Sequence, residues 1–290
     1  MRRVLRLLIF LMLMLSPAIN LYPQQPLFTV IASGGKALYL SHNLADWTDI
    51  TTGSRLYQGD RIKLDSGGYL GLCCTNGRTV ELNSPGIFEA GELSKKLAAE
   101  NNSITKKWTE YILNEMVTKN RTKEMKTLAG VVRHSLAYID KDFPASTYVG
   151  GRSVEFRWFP AEEATSYIFE IMNPEGRTIL MGGTPDTSIT VDLEALDLVP
   201  GICYSWYVSD GGNEAAVSDT GCIKIMPRAE MIELDESLLE LTNDLRDSES
   251  PLNHMIIGSF YEDKGMYTDA LFHYEKAIEK GSGIEDYRKK

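Results

Sequence analysis

The stretch Leu198-Val199-Pro200-Gly201-Ile202-Cys203-Tyr204 constrains the fold of this chain more than any other. A Pro-Gly pair sets a turn, and the residues that follow alternate, with Ile202, Tyr204, Trp206 and Val208 set against Cys203, Ser205 and Tyr207. That period of two belongs to a strand with one buried face. The region before it repeats the pattern. Val154, Phe156 and Trp158 alternate up to Pro160; Tyr167, Phe169 and Ile171 alternate up to the turn Asn173-Pro174-Glu175-Gly176; Ile189, Val191 and Leu193 supply a further strand. Short strands punctuated this regularly predict an antiparallel β-sandwich over residues 148–227.

The spacing Leu-x-Pro-Gly-x-x-Tyr, with Trp158 ending an early strand and Tyr167 opening the next, resembles the fibronectin type III fold. The resemblance implies a tyrosine corner, in which the Tyr204 hydroxyl bonds backbone a few residues upstream. It also implies that the aromatic residues are core. Cys203 and Cys222 lie on either side of Gly211-Gly212-Asn213-Glu214. A hairpin centred on Gly212-Asn213 sets Ile202 opposite Ile223, Val208 opposite Val217 and Cys203 opposite Cys222. A cross-strand disulfide is therefore expected, two free thiols being the alternative. Cys73 and Cys74 are adjacent, so in a strand they point to opposite faces and read as one core residue and one surface thiol.

Compartment bears on that disulfide. Residues 1–18 read as a signal peptide: Arg2, Arg3 and Arg6, an apolar run from Leu7 to Leu15, then Ser16-Pro17-Ala18. The apolar run falls short of the roughly 20 residues that span a bilayer, and no cysteine follows to carry a lipid. The expected mature protein is periplasmic or secreted, without stable membrane insertion. The formal net charge is −10, and loss of the three leader arginines takes it to −13. Such an acid balance argues against nucleic acid as a partner, since phosphate binding needs clustered Lys and Arg.

Residues 27–90 read as an all-β domain, with apolar alternations such as Leu38-Tyr39-Leu40 between Gly-rich breaks. At Asn76-Gly77-Arg78 a three-residue loop, aligning Cys74 with Val80 and Leu72 with Leu82, keeps one face buried. The run from Trp47 through Gly53-Ser54-Arg55-Leu56-Tyr57-Gln58-Gly59-Asp60-Arg61-Ile62 resembles the signature of FecR-type domains. The resemblance implies an extracytoplasmic β-domain used for sensing or protein contact. The sigma-factor segment and transmembrane helix of membrane-bound FecR regulators have no counterpart here. Gly53, Gly59 and Gly77 read as turn glycines, and Trp47 as a core residue.

The segment 91–130 changes to a helical stripe (Leu93, Leu97, Ile104, Trp108, Ile112, Met116), an amphipathic linker with Lys95, Lys96, Lys106 and Lys107 on a solvated face. Beyond Pro227, residues 229–290 form an α-helical region. Met231, Leu234, Leu238, Leu241 and Leu245 define one helix, and Ser248-Glu249-Ser250-Pro251 starts another. Ile257, Gly258, Tyr261, Gly265, Ala270, Tyr274 and Ala277 resemble a single tetratricopeptide repeat. One repeat cannot bury its own apolar face, so this tail must dock on the rest of the chain or on a partner. Tyr261 and Tyr274 are the expected protein-binding residues.

No catalytic constellation emerges. His42, His134, His254 and His273 are scattered without a neighbouring ligand at metal spacing, and there is no nucleophile elbow, phosphate loop or dinucleotide fingerprint. No cofactor is expected. The chain reads as a multidomain, non-enzymatic adaptor whose C-terminal helices engage an envelope protein, so truncation at Pro227 should leave both β-domains folded. The competing class is a ligand sensor or cell-wall glycan binder, for which Tyr39, Trp47, Tyr57 or Tyr207 would form an exposed cluster.

Overall fold

The computed structural model describes residues 25–42, 45–75, 77–97, 107, 138–139, 143–150, 153–212, 216–245, 249–281 and 283–284. The expected signal peptide and most of the expected helical linker lie outside these residues.

The N-terminal β-unit has two four-stranded sheets. One runs β4 (Arg55–Leu56), β1 (Phe28–Gly34), β6 (Tyr69–Cys74), β7 (Thr79–Leu82); the other runs β3 (Thr48–Asp49), β2 (Ala37–Leu40), β5 (Arg61–Leu64), β8 (Gly86–Glu89). Helix α1 (Ala90–Leu97) follows directly. Phe28, Val30, Leu56, Ile62, Leu64, Leu70 and Leu72 fill the space between the sheets. A register shift between Val30 and Ala32 in β1 breaks the alternation and turns Ile31 and Ala32 to the opposite face, where they are also buried. This first sheet is thus covered on both sides, as its unbroken apolar runs Val30-Ile31-Ala32 and Tyr69 to Cys74 reflect.

The β6–β7 hairpin corrects the expected register. Leu72 pairs with Val80 and Leu70 with Leu82, while Cys74 N–H donates to Arg78 O at 2.7 Å. The loop is shifted by one residue toward the N-terminus, with Gly77 at φ 87°. Pairing moves by two places, which keeps every side chain on its face.

The second unit is a sandwich. One sheet orders β10 (Ser146–Val149), β17 (Gly221–Ile225), β15 (Cys203–Asp210), β12 (Tyr167–Met172), β13 (Thr178–Thr184), with β16 (Val217–Ser218) against β15 and β9 (Tyr138–Ile139) against β16. The other consists of β11 (Ser153–Arg157) and β14 (Ser188–Asp192). In fibronectin lettering, β17-β15-β12-β13 is G-F-C-C′ and β11-β14 is B-E. β10 runs parallel to β17 and not beside β11. Phe156, Phe169 and Trp206 pack with ring centroids 4.7 to 5.7 Å apart. Gly221 makes room for them: a Cβ there would lie 2.3 Å from Trp206 Nε1.

Three helices follow the second unit among the described residues: α2 (Arg228–Asp244), α3 (Pro251–Asp263) and α4 (Tyr267–Lys280). Ser250 caps α3, its Oγ accepting from Asn253 N–H at 3.1 Å, with Pro251 at the first helical position. Every residue of α3 from Leu252 to Phe260 is buried, the signature of a helix enclosed on all sides. Its neighbours are α2, α4 and the outer face of the first sheet, so Ile31, Ala32 and Tyr69 share one cluster with Leu234, Leu241, Leu252, Ile256 and Phe260. The helices therefore dock within the chain. Truncation at Pro227 would strip the outer face of β1 and β6, contrary to the expectation that both β-units survive it.

Candidate interaction surface

The helical hairpin α3–α4 turns at Gly265, whose φ of 71° suits glycine. Gly258 lets the helices close, since a Cβ there would meet Tyr274 Cε1 at 2.5 Å. Tyr274 is consequently interior, 9% exposed, with its hydroxyl donating to Glu262 Oε2 at 2.5 Å and lying 3.2 Å from Ser259 Oγ. Tyr261 is half-buried and stacks on His273 at 5.5 Å. Burial and the nearby carboxylates of Asp269 and Asp235 push its hydroxyl up to about 12. Of the two expected binding tyrosines, Tyr274 supports the hairpin from inside and Tyr261 lines an open cleft.

The histidines require a correction. The hairpin brings together His254 and His273, which read as isolated in the sequence, with their Nδ1 atoms 3.0 Å apart. One ring must donate and the other accept, so at least one is neutral. Desolvation first, and the neighbouring His254 second, depress His273 to about 4. Among the described residues no group of three or more His, Cys, Asp or Glu side chains is arranged to hold a metal ion.

In the second sandwich the corner forms as a tyrosine latch. Val199 N–H donates to the Tyr204 hydroxyl at 2.9 Å, and Gly201 takes φ 78° in the turn closed by Ile202 N–H on Val199 O. Tyr167 acts similarly, accepting from Ala161 N–H at 3.0 Å. Cys203 and Cys222 are bridged, with Cα atoms 5.6 Å apart. Their strands are offset by two places from the expected pairing: Cys203 lies opposite Lys224 and Ser205 opposite Cys222, so the bridge is diagonal. Cys73 is not a surface thiol either. It packs half-buried against the helical cluster, while Cys74 joins the core of the first unit.

The FecR-like run forms β4, a tight turn and β5. Asp60, 1% exposed, closes the turn on itself: its carboxylate accepts from Tyr57 N–H at 2.8 Å, and its own N–H donates to Tyr57 O. Gly53 and Gly59 take φ of 89° and 90°. Trp47 stands outside the core, half-buried with the Arg61 guanidinium 6.0 Å from its ring centroid, which corrects its expected place. Tyr39, Trp47 and Tyr57 are half-buried on the first unit. Tyr207 is half-buried on the second, hydrogen-bonded at 2.5 Å to Glu170, which raises its hydroxyl to about 12. These four do not form one exposed cluster.

A cleft of about 510 Å3 opens between the second sandwich and the helices. Phe143, Val154, Met231, Met266 and Phe272 give it apolar walls, and Glu155, Asp269 and Glu275 give it an acidic character. An ion pair of 2.8 Å from Arg157 on β11 to Glu275 on α4 crosses from one wall to the other. Thr147 tightens the same boundary, its hydroxyl accepting from Tyr267 N–H at 2.9 Å.

The fold and this surface define a β-rich protein of two sandwich-like units joined by a helical wedge, the second unit being fibronectin type III-like in strand order. No family model and no curated protein matches the chain. Solved structures similar to it are fibronectin type III domains. FN3tt is 14% identical, covering 31% of this chain and 87% of that one at a TM-score of 0.21. A fourth fibronectin type III domain from human is 21% identical, covering 35% and 92% at 0.20. A two-domain segment of chicken tenascin is 16% identical, covering 69% and 94% at 0.21. The assignment of the sandwich rests on its strand order. No helix among the described residues is long and apolar enough to cross a membrane.

Proposed function

We propose that this chain is a non-enzymatic, extracytoplasmic adaptor that binds a protein of the cell envelope through its C-terminal helices. The observation that carries the reading is the outward apolar surface those helices keep after docking. Ile232 and Leu239 on α2, and Tyr267, Leu271 and Phe272 on α4, are between 38% and 61% exposed. Leu271 and Phe272 are adjacent and line one cleft, and Ile232 and Leu239 lie two turns apart on α2; large apolar side chains that fall together on a surface mark interaction sites. The signature around Gly53–Ile62 supports a FecR-type first unit, and the Gly258–Tyr274 contact supports a tetratricopeptide-like hairpin. The bridged Cys203 and Cys222 support an oxidising compartment, in keeping with the leader-like first eighteen residues.

The test is cross-linking and co-purification of the full chain from its native envelope, comparing wild type with Leu239→Glu and Phe272→Glu. Both sites are exposed, so melting temperatures should hold while recovery of the partner falls about tenfold or more. Unchanged recovery would overturn the adaptor reading.

A further inference from the structure

The seven-stranded sheet ends in β13, and among the described residues β13 pairs with β12 alone. The turn before it, Asn173 to Arg177, and the bend after it, Pro185 to Thr187, both belong to the described residues. Exposed edges are usually kept from pairing by a charge, a proline or a bulge. The sequence of β13, Thr-Ile-Leu-Met-Gly-Gly-Thr, has no charged residue and no proline. Its one irregularity lies at the first end, opposite the Ile171–Met172 step, which leaves Leu180 to Thr184 regular. The end strands of the first unit differ: β4 carries Arg55, β7 Glu81, β3 Asp49 and β8 Glu89. At the opposite end of the same sheet, β10 is bonded to the α3–α4 turn, Tyr148 N–H donating to Gly265 O at 2.9 Å.

The backbone groups that β13 presents outward follow from two hydrogen bonds. Asn173 N–H donates to Arg177 O, and Gly211 N–H donates to Ser166 O. Antiparallel alternation between these anchors turns the odd residues of β12 toward β13 and the even ones toward β15. Phe169 pairs with Gly182 and Ile168 with Gly183, so the backbone of Met181 and Gly183 points away from β12. Both residues are exposed, Met181 at 62%. Among the described residues, a Cβ at Gly183 would meet nothing closer than Tyr167 O at 3.8 Å.

The strand that fits this edge is β13 itself. About a two-fold axis at Gly182, Met181 of each copy lies opposite Gly183 of the other, so both outward pairs exchange backbone hydrogen bonds and each thioether covers a glycine. The same antiparallel pairing sets Arg177, exposed at one end of the strand, beside Asp186 of the second copy, exposed at the other end. A foreign strand would have to bring an acid and a base at that spacing, and a second copy already does. We propose that β13 is a self-association edge, to which a second copy of this chain adds antiparallel so that two seven-stranded sheets become one. Strand addition buries less surface than a permanent dimer needs, so the association is weak and concentration-dependent. The inference goes beyond the adaptor reading and uses none of its apolar residues on α2 and α4.

The experiment is sedimentation velocity of the full chain over a concentration series, in which the dimer should grow with concentration. Met181→Pro removes an N–H that bonds nothing in β12, so it should abolish the dimer while the melting temperature holds. Arg177→Asp and Asp186→Arg each set like charges together at both ends and should weaken dimerisation about tenfold. An equimolar mixture of these two variants should dimerise as wild type does, because in the mixed dimer every end again meets its opposite. A wild-type chain that stays monomeric throughout overturns the proposal and leaves the edge to a strand of another protein. Dimerisation that persists in Met181→Pro overturns β13 as the interface. Should that variant melt early, the two charge variants decide, both being at exposed positions. A mixture no more dimeric than either variant alone overturns the antiparallel self-pairing.

Discussion

Gly258→Ala offers a stringent check on the helical wedge, because general helix energetics and this structure predict opposite signs. In a solvent-facing helix the change stabilises by about 1 kcal/mol, since alanine loses less backbone freedom on folding. Here the new Cβ would lie 2.5 Å from Tyr274 Cε1, 2.7 Å from Cδ1 and 3.2 Å from Ala270 O. The ring cannot swing aside cheaply, since its hydroxyl is bonded to Glu262 and lies beside Ser259 in a buried site. Overpacking of this kind costs about 1–3 kcal/mol, and disturbing the hydroxyl's bonds adds about 1 kcal/mol. After the propensity gain, the net is a destabilisation of about 1–3 kcal/mol, or a fall in melting temperature of about 2–8 °C. Thermal melts by circular dichroism, backed by urea titrations, read this directly. Combining Gly258→Ala with Tyr274→Leu should recover part of the loss, because the smaller side chain makes room. A Gly258→Ala variant as stable as wild type, or more so, refutes the close helix–helix contact.

Other perturbations reach different parts of the structure. His273 titrates near 4 when folded against 6.5 when unfolded, so the unfolded chain binds the extra proton between those values. Stability should be whole above about pH 6.5, fall as pH drops toward 4 and level off below, by about 2 kcal/mol after allowance for partial exposure. Urea midpoints of wild type and His273→Asn across that range should differ in slope, and parallel curves would refute the pair. Tyr204→Phe leaves Val199 N–H without its acceptor and should cost about 1–2 kcal/mol with little change in fold, read by chemical denaturation. Replacing both Cys203 and Cys222 by serine removes a bridge across a separation of 19 residues and should lower stability by about 3 kcal/mol; reduction of the wild type should mimic it.

What could be read from the residues, and what could not, follows from the range of the forces involved. Periodicity reports which face a side chain takes, so the alternation Tyr204, Trp206, Val208 and the stripe Leu234, Leu241, Leu245 led to buried strand and helix faces, while Ile202, expected on the same strand face, lies before β15 and is 37% exposed. Register is a weaker signal. In the β6–β7 and β15–β17 pairings the observed register differs from the expected one by two places, which preserves the faces while changing every partner, whereas Val217 on β16 lies opposite Ser209, one place from the expected Val208. The covering of the first sheet on both sides was present in the sequence as the unbroken runs Val30-Ile31-Ala32 and Tyr69 to Cys74, a sign distinct from simple alternation. The His254–His273 contact and the Asp269 cleft had no local signature. Each depends on how an antiparallel helix pair, or a helix and a strand from separate units, come to rest together.

The enclosure of α3 also sets the order in which the molecule can mature. The outer face of β1 and β6 is sealed by Leu252, Ile256 and Phe260, which lie about 180 residues beyond the end of β6. At ribosomal rates of about 5–20 residues per second, that apolar face waits on the order of 10–40 s for its cover. Until those residues emerge, Ile31, Ala32 and Tyr69 on that face lack their cover. A holding chaperone would have its most valuable site there, on a face made long before its cover.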